Sequence, residues 1–182
     1  MINRRTFITA VPVAAALISG KASATTYFTG ATVRQALFPS ATNFVDRSVV
    51  LTSEQAKAIS KASNARVSKP KIAAWDAMGP GGKLGTMFID QVYGKHEFIT
   101  FAVALGPDGD VRQIEIMDYR ETYGDQIRIP KWRAQFTGKR HGQSLKINAE
   151  IKNISGATLS CVHITDGVRR LLATYALVIS RG

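Results

Sequence analysis

The stretch Ile154-Ser155-Gly156-Ala157-Thr158-Leu159-Ser160 sets a threonine hydroxyl behind two residues with almost no side chain, at the start of a helical pattern. A helix begins with backbone N–H groups that have no intrahelical acceptor, and that end carries partial positive charge. Gly156 and Ala157 let a ligand come close to the main chain. Together these features suit an anion, most naturally a phosphate. Ser155 or Thr158 would add a hydroxyl to the same site. The same residues also suit an ordinary helix start, with Ser155 as a cap contributing about 1 kcal/mol. The local physics leaves both readings open.

Other reactive residue types offer less. Cys161 is the single cysteine, so no intramolecular disulfide can form. Cys161 and His163 stand two apart, which on a helix points them to different faces and suits shared metal ligation poorly. Cys161 reads as a small buried hydrophobe, His96 and His163 as structural or exposed side chains. No zinc-type or haem-type spacing is present. The formal net charge of +11 raises the question of nucleic acid. However, the lysines and arginines are spread along the chain, with no basic arm and no recognisable nucleic-acid motif. An acidic partner or an anionic cofactor fits this charge better.

The first 24 residues read as an export signal. Arg4-Arg5 precede an apolar run from Phe7 to Ile18, and Ala22-Ser23-Ala24 offers a small-residue cleavage site. The segment Asn3-Arg4-Arg5-Thr6-Phe7-Ile8 is similar to a twin-arginine signal. The run is shorter than the ~20 residues of a spanning helix. Cleavage after Ala24 would remove Arg4, Arg5 and Lys21 and no acid, leaving 11 − 3 = +8. The expected location is the bacterial periplasm, free or membrane-associated.

The elements that must position the turn follow from periodicity. Ala31–Leu37 reads as a short helix. Residues 47–51 read as extended or strand. Thr52 with Gln55 three residues on forms a capping box for a helix over residues 53–65. Residues 72–78, 84–92, 96–105 and 111–118 read as strands; the last two flank the turn Gly106-Pro107-Asp108-Gly109-Asp110 as an antiparallel hairpin. Trp132–Phe136 reads as a helical turn. Residues 145–151 alternate like another strand. A helix is expected over residues 158–178, with an apolar face of Leu159, Val162, Val168, Leu171, Leu172 and Tyr175, weakened by Gly167. The predicted class is α+β, an antiparallel sheet with flanking helices in a single domain. Its divisions are the signal at 1–24, a helical and extended region at 25–83, and the site-bearing part at 84–182.

Ser155-Gly156-Ala157-Thr158-Leu159-Ser160 before a helix resembles the covalent-flavin motif of the FMN-binding domain family. That family includes periplasmic flavin subunits of the Rnf and sodium-translocating NADH:quinone reductase complexes. Tyr93-Gly94, the turn at 106–109, Glu121-Thr122-Tyr123-Gly124 and the segment Trp132 to Lys139 match further family pieces in order. The sequence departs from the family at Lys152, where aspartate is usual, and at Tyr123, where proline is usual. The resemblance implies FMN joined by a phosphoester to Thr158. It implies cofactor contacts at Ser155, Gly156, Ala157, Glu121, Thr122 and Tyr93. It also implies a flavin transferase that uses FAD and magnesium. Tyr119, Tyr123 and Trp132 are the aromatics that could stack on the isoalloxazine or simply pack. The expected role is an electron carrier with a membrane or periplasmic redox partner, rather than a stand-alone enzyme. The alternative is a non-redox anion-binding, flavin-binding or assembly protein with a degenerate flavin site.

Overall fold

The computed structural model describes residues 25–181; the export-signal reading at 1–24 lies outside them. One antiparallel sheet organises the chain. Its strands are β1 (Thr25–Thr26), β2 (Asn43–Asp46), β3 (Val49–Val50), β4 (Lys71–Gly79), β5 (Gly82–Tyr93), β6 (Phe98–Leu105) and β7 (Val111–Tyr119). The spatial order is β1-β7-β6-β5-β4-β2, and β3 pairs with the start of β4. The four long strands are consecutive hairpins, as the turn residues between them dictate. β4 pairs with β5 from Ala73↔Ile89 to Gly79↔Gly82, with a register shift between Ala77 and Met78 that leaves Leu84 as a bulge.

Both faces of the sheet are covered, which is why β6 reads as a near-continuous apolar run. Phe101, Val103 and Leu105 share one core with residues of α2 (Ser53–Ser63) and α4 (Thr158–Leu177). Ala102 and Ala104 point the other way, into a smaller core with Val33 and Leu37 of α1 (Gly30–Leu37). The α2 capping box forms as expected: Gln55 N–H donates to Thr52 Oγ1 and Thr52 N–H donates to Gln55 Oε1. The short helix α3 (Pro130–Arg133) continues into a 3-10 turn over Ala134–Phe136.

Two expectations are corrected. Residues 145–151 form no strand: Leu145 and Asn148 take left-handed backbone angles (φ 43° and 66°), and Ile147 and Ile151 make only an isolated bridge. The alternation there comes from a tight loop that buries Leu145 and Ile151. The face of α4 is also different. Leu159 is exposed and Val162 half-buried, whereas Ser160, Thr165, Arg170 and Thr174 are buried. Thr165 and Thr174 donate to the carbonyls of Cys161 and Arg170, and Arg170 pairs with Asp90 at 2.6 Å. Polar groups with partners inside the fold can be buried at little cost, so hydropathy alone misplaces the helix face.

Candidate functional site

Helix α4 starts at Thr158 with Ala157 as its N-cap, and no side chain caps it. Ser155 is exposed and makes no capping bond, so the plain Ser155 cap is overturned. The first intrahelical bond is from Cys161 N–H to Ala157 O, 2.9 Å. The amides of Thr158, Leu159 and Ser160 therefore face outward from the helix end. Gly156 takes φ 84°, a left-handed angle that a residue with Cβ adopts only under strain.

The turn is held from behind. Trp132 Nε1 donates to the carbonyl of Lys152 at 2.8 Å, and the Lys152 amide donates to Gln135 Oε1 at 2.7 Å. Trp132 is buried, edge-on to Phe136. The Trp132-to-Lys139 segment thus fixes the main chain just before the Ser-Gly-Ala-Thr turn, and Trp132 is packing rather than a stacking platform. At Lys152 only the backbone is gripped; its side chain is exposed. Asn153, next along, donates from Nδ2 to Thr158 Oγ1 at 2.9 Å, while its Oδ1 is buried with no partner among the described residues.

A second loop closes the site from the sheet side. Glu121 Oε1 accepts from the backbone amides of Lys95, His96 (2.7 Å) and Glu97 (3.1 Å) in the β5–β6 connection. Burial alone would raise the Glu121 pKa. The three amide donors, with the nearby His96 charge, outweigh it and hold the carboxyl below its ordinary value. Gly94 is needed here because a Cβ would run into the Glu121 carboxylate. Gly124 (φ 96°) lets the same loop reach α4: a Cβ there would lie 2.6 Å from Tyr119 Oη. The Tyr119 hydroxyl donates to the Tyr123 carbonyl and bonds Ser160 Oγ at 3.2 Å. Burial, partly offset by Ser160, pushes this phenol's pKa up, so it stays a neutral donor. Burial likewise raises the Cys161 thiol, which sits in the core as expected.

Between these walls lies a cleft of about 510 Å³ lined by Lys95, His96, Glu121, Thr122, Tyr123 and residues 156–160. The structure brings Gly156, Ala157, Thr158, Glu121 and Thr122 together there. Ser155 and Tyr93 are not among its lining residues. Tyr93 faces a separate hollow beyond the β5–β6 connection. Sequence reasoning missed Lys95, His96, Leu159 and Ser160 as lining residues. The signal for the last two was their place in the first helical turn, and for the first two their place directly after Tyr93-Gly94.

Glu121 gives a pH prediction. Its folded pKa is depressed, so its stabilisation is present above the unfolded value of 4.5 and is lost as pH falls through the folded value. Glu121→Gln keeps an acceptor but loses charge, so it is expected to cost about 1 kcal/mol at neutral pH. Urea midpoints taken from neutral pH downward should fall more steeply for the native chain than for the variant. Parallel curves would remove Glu121 as the clamp of the hairpin loop.

The site's parts fit a phosphate-bearing, drug-sized ligand. The volume lies within the ~300–1,000 Å³ usual for such sites. The helix end offers three amides to an anion, Thr158 stands exposed beside them, and Asn153 presents an unpartnered buried acceptor next to that hydroxyl. Leu159 and Tyr123 add exposed apolar surface for a ring system.

Comparisons with known proteins agree with this geometry. The model of the FMN-binding domain matches residues 94–173, which include the β5–β6 connection, the Glu121 loop, the Trp132 segment and the turn before Thr158. The crystal structure of Shewanella oneidensis NqrC is similar in fold, with TM-score 0.51 and 13% identity over 85% of this chain and 76% of that one. No curated protein sequence matches the chain.

Proposed function

We propose, from the match of residues 94–173 to the FMN-binding domain, that the chain is an exported flavoprotein electron carrier whose FMN is joined by a phosphoester to Thr158 Oγ1, formed as a flavin transferase breaks the FAD pyrophosphate, passes the FMN phosphorus to the hydroxyl oxygen and releases AMP with the hydroxyl proton. The observation that carries the reading is Thr158 itself: an exposed hydroxyl in the first turn of an uncapped helix, at the cleft, with Asn153 Nδ2 bonded to its oxygen. FMN, when bound, supplies one- and two-electron transfer. The chain's own residues hold and orient it. The amides of residues 158–160 take the phosphate charge. Asn153 donates to the Thr158 oxygen, so the hydroxyl hydrogen is not used in that bond. The Trp132 and Gln135 bonds to Lys152 keep the turn in place. Glu121 fixes the wall that carries Lys95 and His96 and itself lines the cleft.

An ester bond would keep a dissociable cofactor from being lost outside the cytoplasm, which suits the periplasmic location and the export signal proposed for residues 1–24. Flavin transferase and a membrane or periplasmic redox protein are the partners this reading requires. Lys152, where the family carries aspartate, favours the runner-up, a degenerate site that binds flavin or another anion without redox work. The backbone grip on Lys152 supports the first reading, because the turn keeps its shape without the acid. The test is coexpression with a flavin transferase and FAD. The purified protein is expected to be yellow, with absorbance that stays with the chain in denaturant. A colourless product would sink the proposal, and colour released by denaturant would leave the reversible binder.

A further inference from the structure

The β5–β6 connection has a second side that the cofactor reading does not use. Tyr93 and Phe98 pair across the hairpin with ring centroids 5.3 Å apart, and both are about half exposed, at 53% and 48%. The Tyr93 hydroxyl donates to the His96 carbonyl at 2.8 Å, so its ring is fixed to the same loop whose Lys95 and His96 line the cofactor cleft. Beside the rings is a hollow of about 450 Å³, lined also by Arg66, Lys69 and His163. The Lys69 ammonium lies 5.5 Å from the Phe98 ring centre.

The charge around this hollow is one-sided. Arg66 and Lys69, which line it, join no ion pair among the described residues. The acids nearby are committed: Asp90 to Arg170, Asp166 to Arg169, Glu121 to three backbone amides. Glu97 at the hairpin tip is an exposed acid and is not among the residues lining the hollow. Rigid aromatics around a concavity, rimmed by unpaired cations, make an anchor site of the kind found at the centre of protein interfaces. A bilayer would ask instead for a protruding apolar tip.

We propose that the outer face of the β5–β6 hairpin, Tyr93 and Phe98 with the Arg66 and Lys69 rim, is the docking surface for an acidic redox protein. This rests on the electron-carrier reading. One loop then separates the docked partner from the flavin, and opposite charge steers the encounter. Such interfaces are small, transient and salt-sensitive.

The experiment uses the full FMN-loaded chain, reduced chemically and mixed in a stopped-flow with an acidic c-type cytochrome, a basic one of similar size, or ferricyanide. Arg66→Glu/Lys69→Glu is expected to slow the acidic cytochrome about tenfold or more at low salt, with the difference vanishing at high salt. Tyr93→Ala/Phe98→Ala should slow it at every salt concentration. Arg140→Glu/Lys146→Glu, which changes the same net charge in a different cleft, should leave the rate near that of the native chain. Flavin content and the ferricyanide rate should be the same in all of them. If the Arg140/Lys146 control slows as much as the hairpin pair, or if neither hairpin variant slows, the proposal falls. It also falls if the hairpin variants lose only co-sedimentation with phosphatidylglycerol vesicles, which would make a membrane the occupant. A native chain without flavin, or one that fails to reduce ferricyanide, fails at the electron-carrier reading itself and takes the docking proposal with it.

Discussion

Gly167→Val is expected to lower the free energy of unfolding by about 3 kcal/mol, at the upper end of the usual range for forcing volume into a packed core. Gly167 lies in the middle of α4, where glycine ordinarily costs a helix about 1 kcal/mol relative to alanine. Its presence is explained by what lies beneath it. A Cβ at 167 would stand 2.6 Å from the tip of the Phe101 ring and 3.0 Å from a methyl of Val92. Phe101 is completely buried in the centre of β6 and cannot swing into solvent. The glycine lets α4 lie close on the sheet. Gly167→Ala should cost less than valine, because the helix regains propensity and a single carbon, rather than three, must be accommodated against the Phe101 ring. Adding Phe101→Leu should recover part of the valine loss in a double-mutant cycle. Urea unfolding followed by circular dichroism measures all of these. A valine variant as stable as the native chain would mean that helix and sheet are not in this contact.

The second large effect is expected at Trp132. Trp132→Ala removes a buried indole and should cost about 3–5 kcal/mol. It also frees the carbonyl of Lys152, the residue six before Thr158. Trp132→Phe separates the two consequences. It keeps most of the packing against Phe136 but not the bond to Lys152, so its stability loss should be only about 1 kcal/mol. Flavin loading by the transferase should nonetheless slow in the phenylalanine variant, because the turn before Thr158 is then held only through Gln135. Gln135→Ala should slow loading in the same direction with little loss of fold. The readouts are the urea midpoint and the initial rate of flavin incorporation, measured on the same preparations. Unchanged loading in a folded Trp132→Phe protein would show that the clamp on Lys152 does not position the acceptor.

The parts of this molecule that were legible in the sequence are those governed by local rules. Thr52 and Gln55 announced the cap of α2, and the apolar run of residues 98–105 announced a buried strand. Small residues before Thr158 announced an open helix start. The features that were not legible depend on partners far away in the chain. Leu145 to Ile151 alternates like a strand but has no neighbouring strand to pair with, so it closes into a loop with two left-handed residues. Leu159 reads as core because it is leucine, yet it projects at the cleft while Arg170 is buried against Asp90 from β5. Glu121 reads as a cofactor ligand and does line the cleft; what the sequence does not reveal is that three amides from the β5–β6 connection bond its Oε1. Tyr93 reads as a cofactor contact through the resemblance of Tyr93-Gly94 to a family piece, but it lines a hollow apart from the cleft. Its position on an outward strand end turns it to the opposite side of the loop.

The ester at Thr158 is the central claim, and intact mass spectrometry tests it most directly. The native chain and Thr158→Ala should be coexpressed with a flavin transferase, purified and weighed under denaturing conditions. The native chain is predicted to carry one added FMN phosphoryl group, and the alanine variant to have the mass of the bare polypeptide while remaining folded. An added flavin that persists in Thr158→Ala, or a native chain that remains bare beside a loaded control flavoprotein, would contradict it.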